Sequence, residues 1–204
     1  MAEGLATQQQ GAQQQDEIVS SDSEALILVN DRDEEIGFRS KALCHDGDGV
    51  LHRAFSLFVF NSHGDLLLQQ RSASKRLWPL YWSNSCCSHP RQGETMSDAV
   101  NRRLFQEVRI TSELEFLYKF QYQAKFGDLG AEHELCWVYA GVSDDPVRVN
   151  RTEIAEWRFV SPDELDAEMA ATPECFTPWF KMEWARLKRD HGDDLARLIA
   201  AGAD

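Results

Sequence analysis

Between Ser88 and Ile110 the chain places charged residues at fixed intervals along a segment of helical periodicity. The segment reads Ser88-x5-Glu94-x7-Arg102-Arg103-Leu104-x-Gln106-Glu107-x-Arg109-Ile110. Its apolar positions predict a helix over Thr95–Glu107; they are Met96, Ala99, Val100 and Leu104. An amphipathic helix has to bury its apolar face against another element, so we expect this one to pack on a sheet.

Strand-like segments fill the middle of the chain, and helical segments fill its end. Strands are predicted at Ala25–Asn30, Phe55–Phe60, Leu66–Gln70, Leu114–Phe126, Glu134–Val142 and Ile154–Val160. The second and third of these flank a polar turn and form a predicted hairpin. Helices are expected over Pro162–Ala170 and over Phe176–Ala200, the latter interrupted near Gly192. The pattern predicts an α+β fold, with a mixed β-sheet core flanked by α-helices, in a single domain over residues 25–204.

Residues 1–24 are rich in Gln, Ala, Ser and acidic residues and lack apolar periodicity, which predicts a disordered tail. The whole chain carries a net charge of −13, so nucleic acid is not expected as a partner. No run approaches the roughly 18 apolar residues that span a bilayer. Five cysteines, an odd number, and the lack of a basic-then-apolar leader favour reduced thiols in the cytoplasm. We expect a cytoplasmic monomer.

One part of this acidic chain has the opposite charge. Residues 71–109 contain seven basic and three acidic residues, a local excess of four positive charges. Such an excess indicates a site for a small anionic ligand, which needs only a local positive potential. An ordinary fluctuation of surface charge explains the same numbers.

A thiol and an imidazole lie two residues apart at Cys87 and His89. On a strand both side chains point to the same side, because side chains alternate with a period of two. One pocket can therefore receive a group that moves protons and a group that binds metal.

Two more histidines and two carboxylates have spacings that suit a metal site. His45 and His52 flank a glycine-containing loop that can fold both rings toward one point, and Glu132 and Glu134 would share one face of a strand. Together with His89 they form a donor set for one divalent ion, with Zn²⁺, Mn²⁺ and Mg²⁺ all compatible. Taken singly, each histidine is more often a surface or core residue than a ligand.

The charge pattern from Ser88 keeps the spacing of the Nudix box, a loop, helix and loop that holds a divalent ion and thereby binds a diphosphate. The matching positions are Glu94, Arg102, Leu104, Glu107 and Ile110. Two glycines and two glutamates of the box are replaced, by Ser88, Arg109, Arg103 and Gln106. Nudix hydrolases use several carboxylates to activate water. The loss of two of these carboxylates therefore indicates a protein that binds a metal-bound diphosphate but is poorly suited to hydrolyse it.

Further motifs resemble one branch of the Nudix superfamily, the type I isopentenyl-diphosphate Δ-isomerases, over residues 25–185. The motifs are Cys44-His45, Leu51-His52-Arg53-Ala54-Phe55-Ser56, Leu67-Leu68-Gln69-Gln70-Arg71-x3-Lys75, Leu77-Trp78-Pro79-x-Tyr81-Trp82-x-Asn84-Ser85-x-Cys87-x-His89-Pro90, Glu132-His133-Glu134-x-Cys136 and Phe176-Thr177-Pro178-Trp179. The resemblance implies a Nudix-like fold. It also implies an enzyme that isomerises isopentenyl diphosphate, a small prenyl diphosphate, to dimethylallyl diphosphate.

The same resemblance implies a role for each site residue. The ligands of one Zn²⁺ or Mn²⁺ would be His45, His52, His89, Glu132 and Glu134. The proton-transfer pair would be Cys87 and Glu134, assisted by Tyr122, and Glu107 would share a Mg²⁺ with the substrate diphosphate. The diphosphate clamp would consist of Lys41, Arg71, Lys75 and Arg103, and Trp179 would form an aromatic wall over the prenyl group.

Two other classes stay open at this point. One is a Nudix hydrolase of a small diphosphate, against which the replacements Arg103 and Gln106 count. The other is a non-catalytic diphosphate-binding paralogue, against which the presence of Cys87, Glu134 and Tyr122 counts. The sequence also leaves open which of Cys87 and Glu134 donates its proton first.

Overall fold

The computed structural model describes residues 16–202. In this part of the chain the strands are β1 (Ala25–Val29), β2 (Glu35–Ser40), β3 (His52–Phe60), β4 (Leu66–Arg71), β5 (Trp82–Ser83), β6 (Cys86–Ser88), β7 (Glu115–Lys125), β8 (Ala131–Val142) and β9 (Ile154–Val160). The helices are α1 (Lys41–Cys44), α2 (Met96–Val108), α3 (Pro162–Ala171), α4 (Pro178–Asp190) and α5 (Gly192–Gly202). None of the helices within residues 16–202 is long and apolar enough to cross a membrane.

Strand β3 is the centre of a mixed sheet. It pairs with β8 in parallel along its whole length, from His52 opposite Glu134 to Phe60 opposite Val142. On its other side it pairs antiparallel with the short strand β6, where Ser56 faces Cys87. Strand β7 continues the sheet beyond β8, and β4 carries β9 as its main partner. Three strands that are distant in sequence therefore carry their side chains to one place.

Both faces of β3 are buried. Alternate residues enter two apolar clusters: Phe58 belongs to the cluster that includes residues of α4 and α5, and Leu57 to the cluster that includes residues of α2. A strand covered on both faces has a nearly continuous apolar sequence, as seen between Ala54 and Phe60. The predicted mixed sheet flanked by helices is confirmed.

Most predicted elements agree with the structure within a few residues, and the C-terminal helical segment is divided at Gly192 as expected. The predicted hairpin differs in extent, because β3 and β4 pair only at Phe60 and Leu66 before β4 turns to β9. Strand β2 was missed. Its residues are mostly exposed, so it has no alternation of apolar and polar residues to mark it.

The tail prediction extends too far along the chain, because residues 16–24 pack on the domain. The Val19 side chain is buried, and its carbonyl accepts a hydrogen bond from Arg103 Nη1 at 2.7 Å. The Ser20 hydroxyl accepts one from Lys41 Nζ at 2.5 Å. These partners lie far along the chain, so composition alone gave no sign of them. The rest of the predicted tail, residues 1–15, lies outside the described residues.

The two glycine replacements have different backbone consequences. Ser88 lies in β6 and is not among the residues with positive φ, so it needs no glycine. Arg109 ends α2 in the left-handed conformation, with φ 59° and ψ 25°, where glycine is the favoured residue. The helix begins conventionally, since the Thr95 side chain accepts a hydrogen bond from the amide of Asp98.

We expect Arg109→Gly to raise the free energy of unfolding by about 0.5–1 kcal/mol, because glycine avoids the Cβ clash of the left-handed conformation. Arg109→Ala is the matched control, since it removes the same side chain but keeps a Cβ; its change should stay under about 0.5 kcal/mol. Urea denaturation measures both. A glycine variant less stable than the alanine variant would contradict the argument.

Candidate active site

One cavity of about 430 Å³ collects residues from β6, β7, β8, α1, α2 and α4. All the predicted site residues line it except His52 and Glu107. His52 is fully buried and joins the site through the other histidines, whereas Glu107 is buried beside Arg103. Cys87 and Glu134 therefore line the same cavity, as their predicted roles require.

The five predicted metal ligands converge on one point beside this cavity. One donor atom from each lies within 4.8 Å of the others, and all five residues are buried. His89 Nε2 lies 3.1 Å from His52 Nε2 and 3.1 Å from Glu134 Oε1. The parallel register of β3 and β8 explains part of this convergence, because it sets His52 directly opposite Glu134.

His45 reaches the cluster because a glycine lets its loop approach β8. The amide of Ala131 donates a hydrogen bond to the His45 carbonyl at 3.0 Å. A Cβ atom on the preceding residue, Gly130, would come within 2.2 Å of that carbonyl oxygen. Gly130 also has φ 145°, so both space and backbone conformation require glycine here.

The donor atoms fit a shared cation better than they fit one another. His45 Nε2 and Glu132 Oε2 are 2.9 Å apart, yet both atoms, like His89 Nδ1, are buried without a hydrogen-bond partner among the described residues. Buried polar atoms of native proteins are normally paired. Three imidazoles and two carboxylates converging in this way form a set that can hold one divalent metal ion.

Neighbouring groups fix the orientation of two ligands. His52 Nδ1 lies 2.7 Å from the Val50 carbonyl, which assigns the proton to Nδ1 and leaves the Nε2 lone pair free to ligate. The Tyr122 hydroxyl donates a hydrogen bond to Glu134 Oε2 at 2.7 Å, which leaves Oε1 toward the histidines. The tyrosine predicted to assist Glu134 therefore contacts it.

The surroundings of His89 and of both carboxyls favour the protonation states that bind metal, whereas for His52 the Glu134 carboxylate outweighs burial and raises the pKa. Burial, reinforced by the charges of His52 and Lys41, holds the pKa of His89 well below its usual value. Burial disfavours ionisation of the two carboxyls, but His45 holds the pKa of Glu132 below its ordinary value, and His52 does the same for Glu134. Neutral imidazole and ionised carboxylate are the ligating forms.

The Cys87 side chain is held as a thiol. Its Sγ donates a hydrogen bond to Asn84 Oδ1 at 2.7 Å and lies 3.5 Å from the Ser56 hydroxyl. The Asn84 amide is oriented by donating to the carbonyls of Leu57 and Cys86. Burial, together with the negative charge that Glu183 carries when it is ionised, raises the pKa of the Cys87 thiol to about 12. The neighbouring Cys86 points into the opposite cluster, as expected for adjacent strand residues.

Trp179, at the start of α4, forms an apolar wall of the cavity. Its indole Nε1 donates a hydrogen bond to the Ser83 hydroxyl at 3.1 Å, and that hydroxyl donates to Asn84 Oδ1 at 3.0 Å. The aromatic wall and the thiol are therefore positioned by one hydrogen-bond network. The Tyr122 ring stands 6.2 Å from the Trp179 ring and extends the aromatic surface.

The four predicted clamp cations line the same cavity. The Arg71 guanidinium lies over the Trp179 ring, 5.2 Å from its centroid, and donates hydrogen bonds to the carbonyls of Leu77 and Trp78. Arg71 thus joins a clamp cation to the aromatic wall. Burial, with the charge of Lys75 beside it, lowers the pKa of Lys41 to about 8.

Sequence reasoning missed an acidic residue within the clamp. Glu153 is buried and forms ion pairs with Lys75 and Arg103, and Arg103 also pairs with Glu107. Glu153 lies in a loop before β9 and belongs to no recognised motif, so only the fold brings it to the cations. The sequence motifs contained Ser56 and Asn84 but gave them no role, and sequence reasoning missed Ser83 and Glu183.

The fold and site together define a NUDIX domain, whose family model matches residues 50–180. A solved structure, DR0079 from Deinococcus radiodurans, superposes with a TM-score of 0.60 at 28% identity, over 72% of this chain and 90% of that chain. The MutT protein from Methanosarcina mazei Go1 superposes with a TM-score of 0.56 at 18% identity, over 69% of this chain and 94% of that one, which speaks to the fold alone.

Curated relatives give a more specific answer. Isopentenyl-diphosphate Delta-isomerase 1 of Photorhabdus laumondii subsp. laumondii is 44% identical over 174 residues, which cover 84% of this chain and 99% of the relative. The isopentenyl-diphosphate Delta-isomerase of Serratia proteamaculans is 42% identical over 179 residues, 87% of this chain and 99% of that one. The chain therefore belongs to the isopentenyl-diphosphate Delta-isomerase family of NUDIX domain proteins, which confirms the family resemblance.

We expect His89→Ala to weaken Zn²⁺ or Mn²⁺ binding by about 100-fold or more, since loss of a ligand should cost at least as much as loss of a supporting residue. His63→Ala is the control, because His63 is exposed in the turn between β3 and β4. Competition with a chelating dye measures both affinities. Equal metal affinity in the two variants would exclude the His/Glu cluster as the site.

We expect pyrophosphate to bind less tightly above about pH 8, because Lys41 then loses its proton and the clamp loses one positive charge. The weakening approaches tenfold per pH unit for a single proton. Lys41→Arg should bind with a flatter pH dependence, since arginine keeps its charge throughout this range. Calorimetric titration with Mg²⁺ and pyrophosphate measures the difference between the two proteins, which cancels the ligand's own titration.

The exposed Lys188 on α4 supplies the control Lys188→Arg, which should reproduce the pH dependence of the unaltered protein. Parallel curves for the Lys41→Arg variant and the unaltered protein would remove Lys41 as the source of the effect.

Proposed function

We propose that this protein isomerises isopentenyl diphosphate to dimethylallyl diphosphate by adding a proton at C4 and removing one from C2. The observation that carries the proposal is the shared cavity: the Cys87 thiol and the Glu134 carboxylate line one space together with four cationic side chains and the Trp179 ring. Moving a double bond in an unactivated alkene needs an acid and a base held against the same few carbons.

We assign Cys87 and Glu134 as the proton-transfer pair. An unactivated alkene is a very weak base, so the acid has to be held against it while water is kept away. Tyr122 contacts Glu134 and holds the carboxylate in place. In either order of transfer, one member of the pair gives a proton and the other takes one, so the enzyme's proton count is restored after each turnover.

We assign Trp179 to the intermediate that forms between the two transfers. Protonation at C4 leaves a tertiary carbocation, and a desolvated aromatic face attracts a cation by about 2 kcal/mol. Trp179 is buried and its ring is fixed by the hydrogen bond to Ser83. Because the same network holds Cys87, the cation would form close to the ring.

We assign the four cations that line the cavity to the diphosphate. Lys41, Arg71, Lys75 and Arg103 would bind its oxygens. Glu107, which pairs with Arg103 behind the lining, would share a Mg²⁺ with the diphosphate. Diphosphate binding anchors the reacting carbons and supplies energy that the chemical step can use. Hydrolysis is disfavoured because Arg103 and Gln106 replace two glutamates of the Nudix box, and Arg103 also pairs with Glu107, a carboxylate that the box retains.

We further propose that the His/Glu cluster binds Zn²⁺ or Mn²⁺. His45, His52, His89, Glu132 and Glu134 would hold it. The positive charge of a bound ion would make Glu134 more acidic. The protein would act in the cytoplasm as a monomer, with residues 25–204 as one catalytic domain.

The test is to incubate the protein with isopentenyl diphosphate and Mg²⁺ in heavy water. Deuterium should appear in dimethylallyl diphosphate, as measured by mass spectrometry. Cys87→Ala and Glu134→Gln should each lower the rate by at least about 10²–10⁴-fold, the usual contribution of general acid or base catalysis. Both variants should keep the thermal unfolding midpoint of a folded protein.

Cys175→Ala is the matched control, because Cys175 is exposed and outside the cavity. It should isomerise at the rate of the unaltered protein. Release of orthophosphate without dimethylallyl diphosphate would identify a hydrolase instead, and binding with neither product would identify a non-catalytic protein.

A further inference from the structure

A glutamate is buried behind the proton-transfer site, where the proposed reaction does not use it. Glu183 lies on α4, one turn after Trp179, and is only 1% exposed. It forms no ion pair among the described residues, and its Oε2 has no hydrogen-bond partner there. A buried charge without a partner is costly, so such a carboxyl is expected to stay protonated. Burial accordingly raises the pKa of Glu183 to about 8.

A chain of polar atoms connects Glu183 to the catalytic thiol. Glu183 Oε1 lies 3.6 Å from the Cys136 sulfur, which lies 3.4 Å from the Ser56 hydroxyl. That hydroxyl lies 3.5 Å from the Cys87 sulfur. The strands explain the alignment, because β6, β3 and β8 are neighbours and Ser56 is registered opposite Cys87.

The proton on Glu183 sets the direction of this chain. When Glu183 carries it, the carboxyl donates to Cys136, Cys136 donates to Ser56, and Ser56 donates to the Cys87 sulfur. When Glu183 is ionised, its carboxylate accepts from both Cys136 and Ser56, which draws the Ser56 proton away from Cys87. Hydrogen bonds arranged in one direction polarise and strengthen one another.

We propose that Glu183 is a positioning residue of the isomerisation: as a neutral acid it directs the Ser56 hydroxyl to the Cys87 sulfur and stabilises the thiolate. The inference rests on the proposed function. Asn84 Oδ1 accepts the proton of the resting thiol but cannot donate to a thiolate. Two hydroxyls lie within reach of the sulfur. The Ser83 hydroxyl is 4.0 Å away and gives its proton to Asn84 Oδ1, whereas the Ser56 hydroxyl is 3.5 Å away and can donate to the thiolate when the chain behind it is correctly directed. Glu183 touches no substrate and exchanges no proton in the reaction.

Within residues 16–202, the groups that influence Glu183 carry no compensating positive charge. They are Ser56 on β3, Cys87 on β6, Tyr118 on β7, and Glu134 and Cys136 on β8. The negative charge of Glu134 adds to the effect of burial, whereas the Ser56 hydroxyl opposes it.

Three variants test the proposal. Glu183→Leu removes the donor and should lower kcat about tenfold or more while leaving KM unchanged, because only the charge developing on sulfur is affected. Ser56→Ala should produce a similar loss, and the double variant should be no worse than either single one. The Glu183→Gln variant should have a kcat within about threefold of that of the unaltered protein, since the glutamine amide can donate and accept hydrogen bonds as a neutral carboxyl does.

The pH profile separates this role from simple packing. In the unaltered protein kcat should decline above about pH 8, where Glu183 loses its proton. In Glu183→Gln that decline should disappear. Leu187→Val, on the same buried face of α4, is the packing control; it should lower the unfolding midpoint without changing kcat or its pH dependence.

An infrared difference spectrum provides a readout that needs no activity. The spectrum of the Glu183→Gln variant is subtracted from that of the unaltered protein. The difference should contain the C=O band of a protonated carboxyl at pH 7, and this band should weaken above pH 8. Lack of that band, or a Glu183→Leu variant with full kcat, would overturn the proposal. If the unaltered protein makes no dimethylallyl diphosphate, the proposed function itself fails and this role fails with it, whatever the spectrum shows.

Discussion

The pairing of β3 with β6 on one side and β8 on the other is the interaction on which the site depends. It sets Ser56 opposite Cys87 and His52 opposite Glu134. A strand that is buried on both faces has a strongly specified register, since a one-residue slip would exchange the residues of its two clusters. The packing energy of β3 therefore positions both the thiol and the carboxylate, although neither belongs to β3.

The charges in and around the cavity are largely matched within the protein. The clamp cation Arg103 pairs with Glu107 and Glu153, and the histidines cluster with Glu132 and Glu134. Buried charges without partners are costly, so each charged group needs either a protein counter-ion or a ligand. A diphosphate and divalent ions are the ligands that would complete this balance.

Several features of the fold and site were predictable because they depend on local spacing. The apolar period of α2, its approximate ends and the matching face of Cys87 and His89 follow from backbone geometry alone. The two positions where the Nudix box has glycine could also be located in the sequence. Only the folded structure shows that the backbone of Arg109 is left-handed and that the backbone of Ser88 is not. The docked segment around Val19 escaped prediction because its partners are remote and its own composition resembles a solvated tail.

The sequence by itself determined the family, the types of reacting groups and the spacing that puts Glu132 and Glu134 on one strand face. The tertiary structure decided which polar residues lie behind those groups. Glu153 becomes part of the clamp and Glu183 lies behind the thiol through contacts across different elements. Neither position has a local pattern that marks it. A carboxyl group takes its chemical character from the dielectric and the charges around it, and these exist only once the chain has folded.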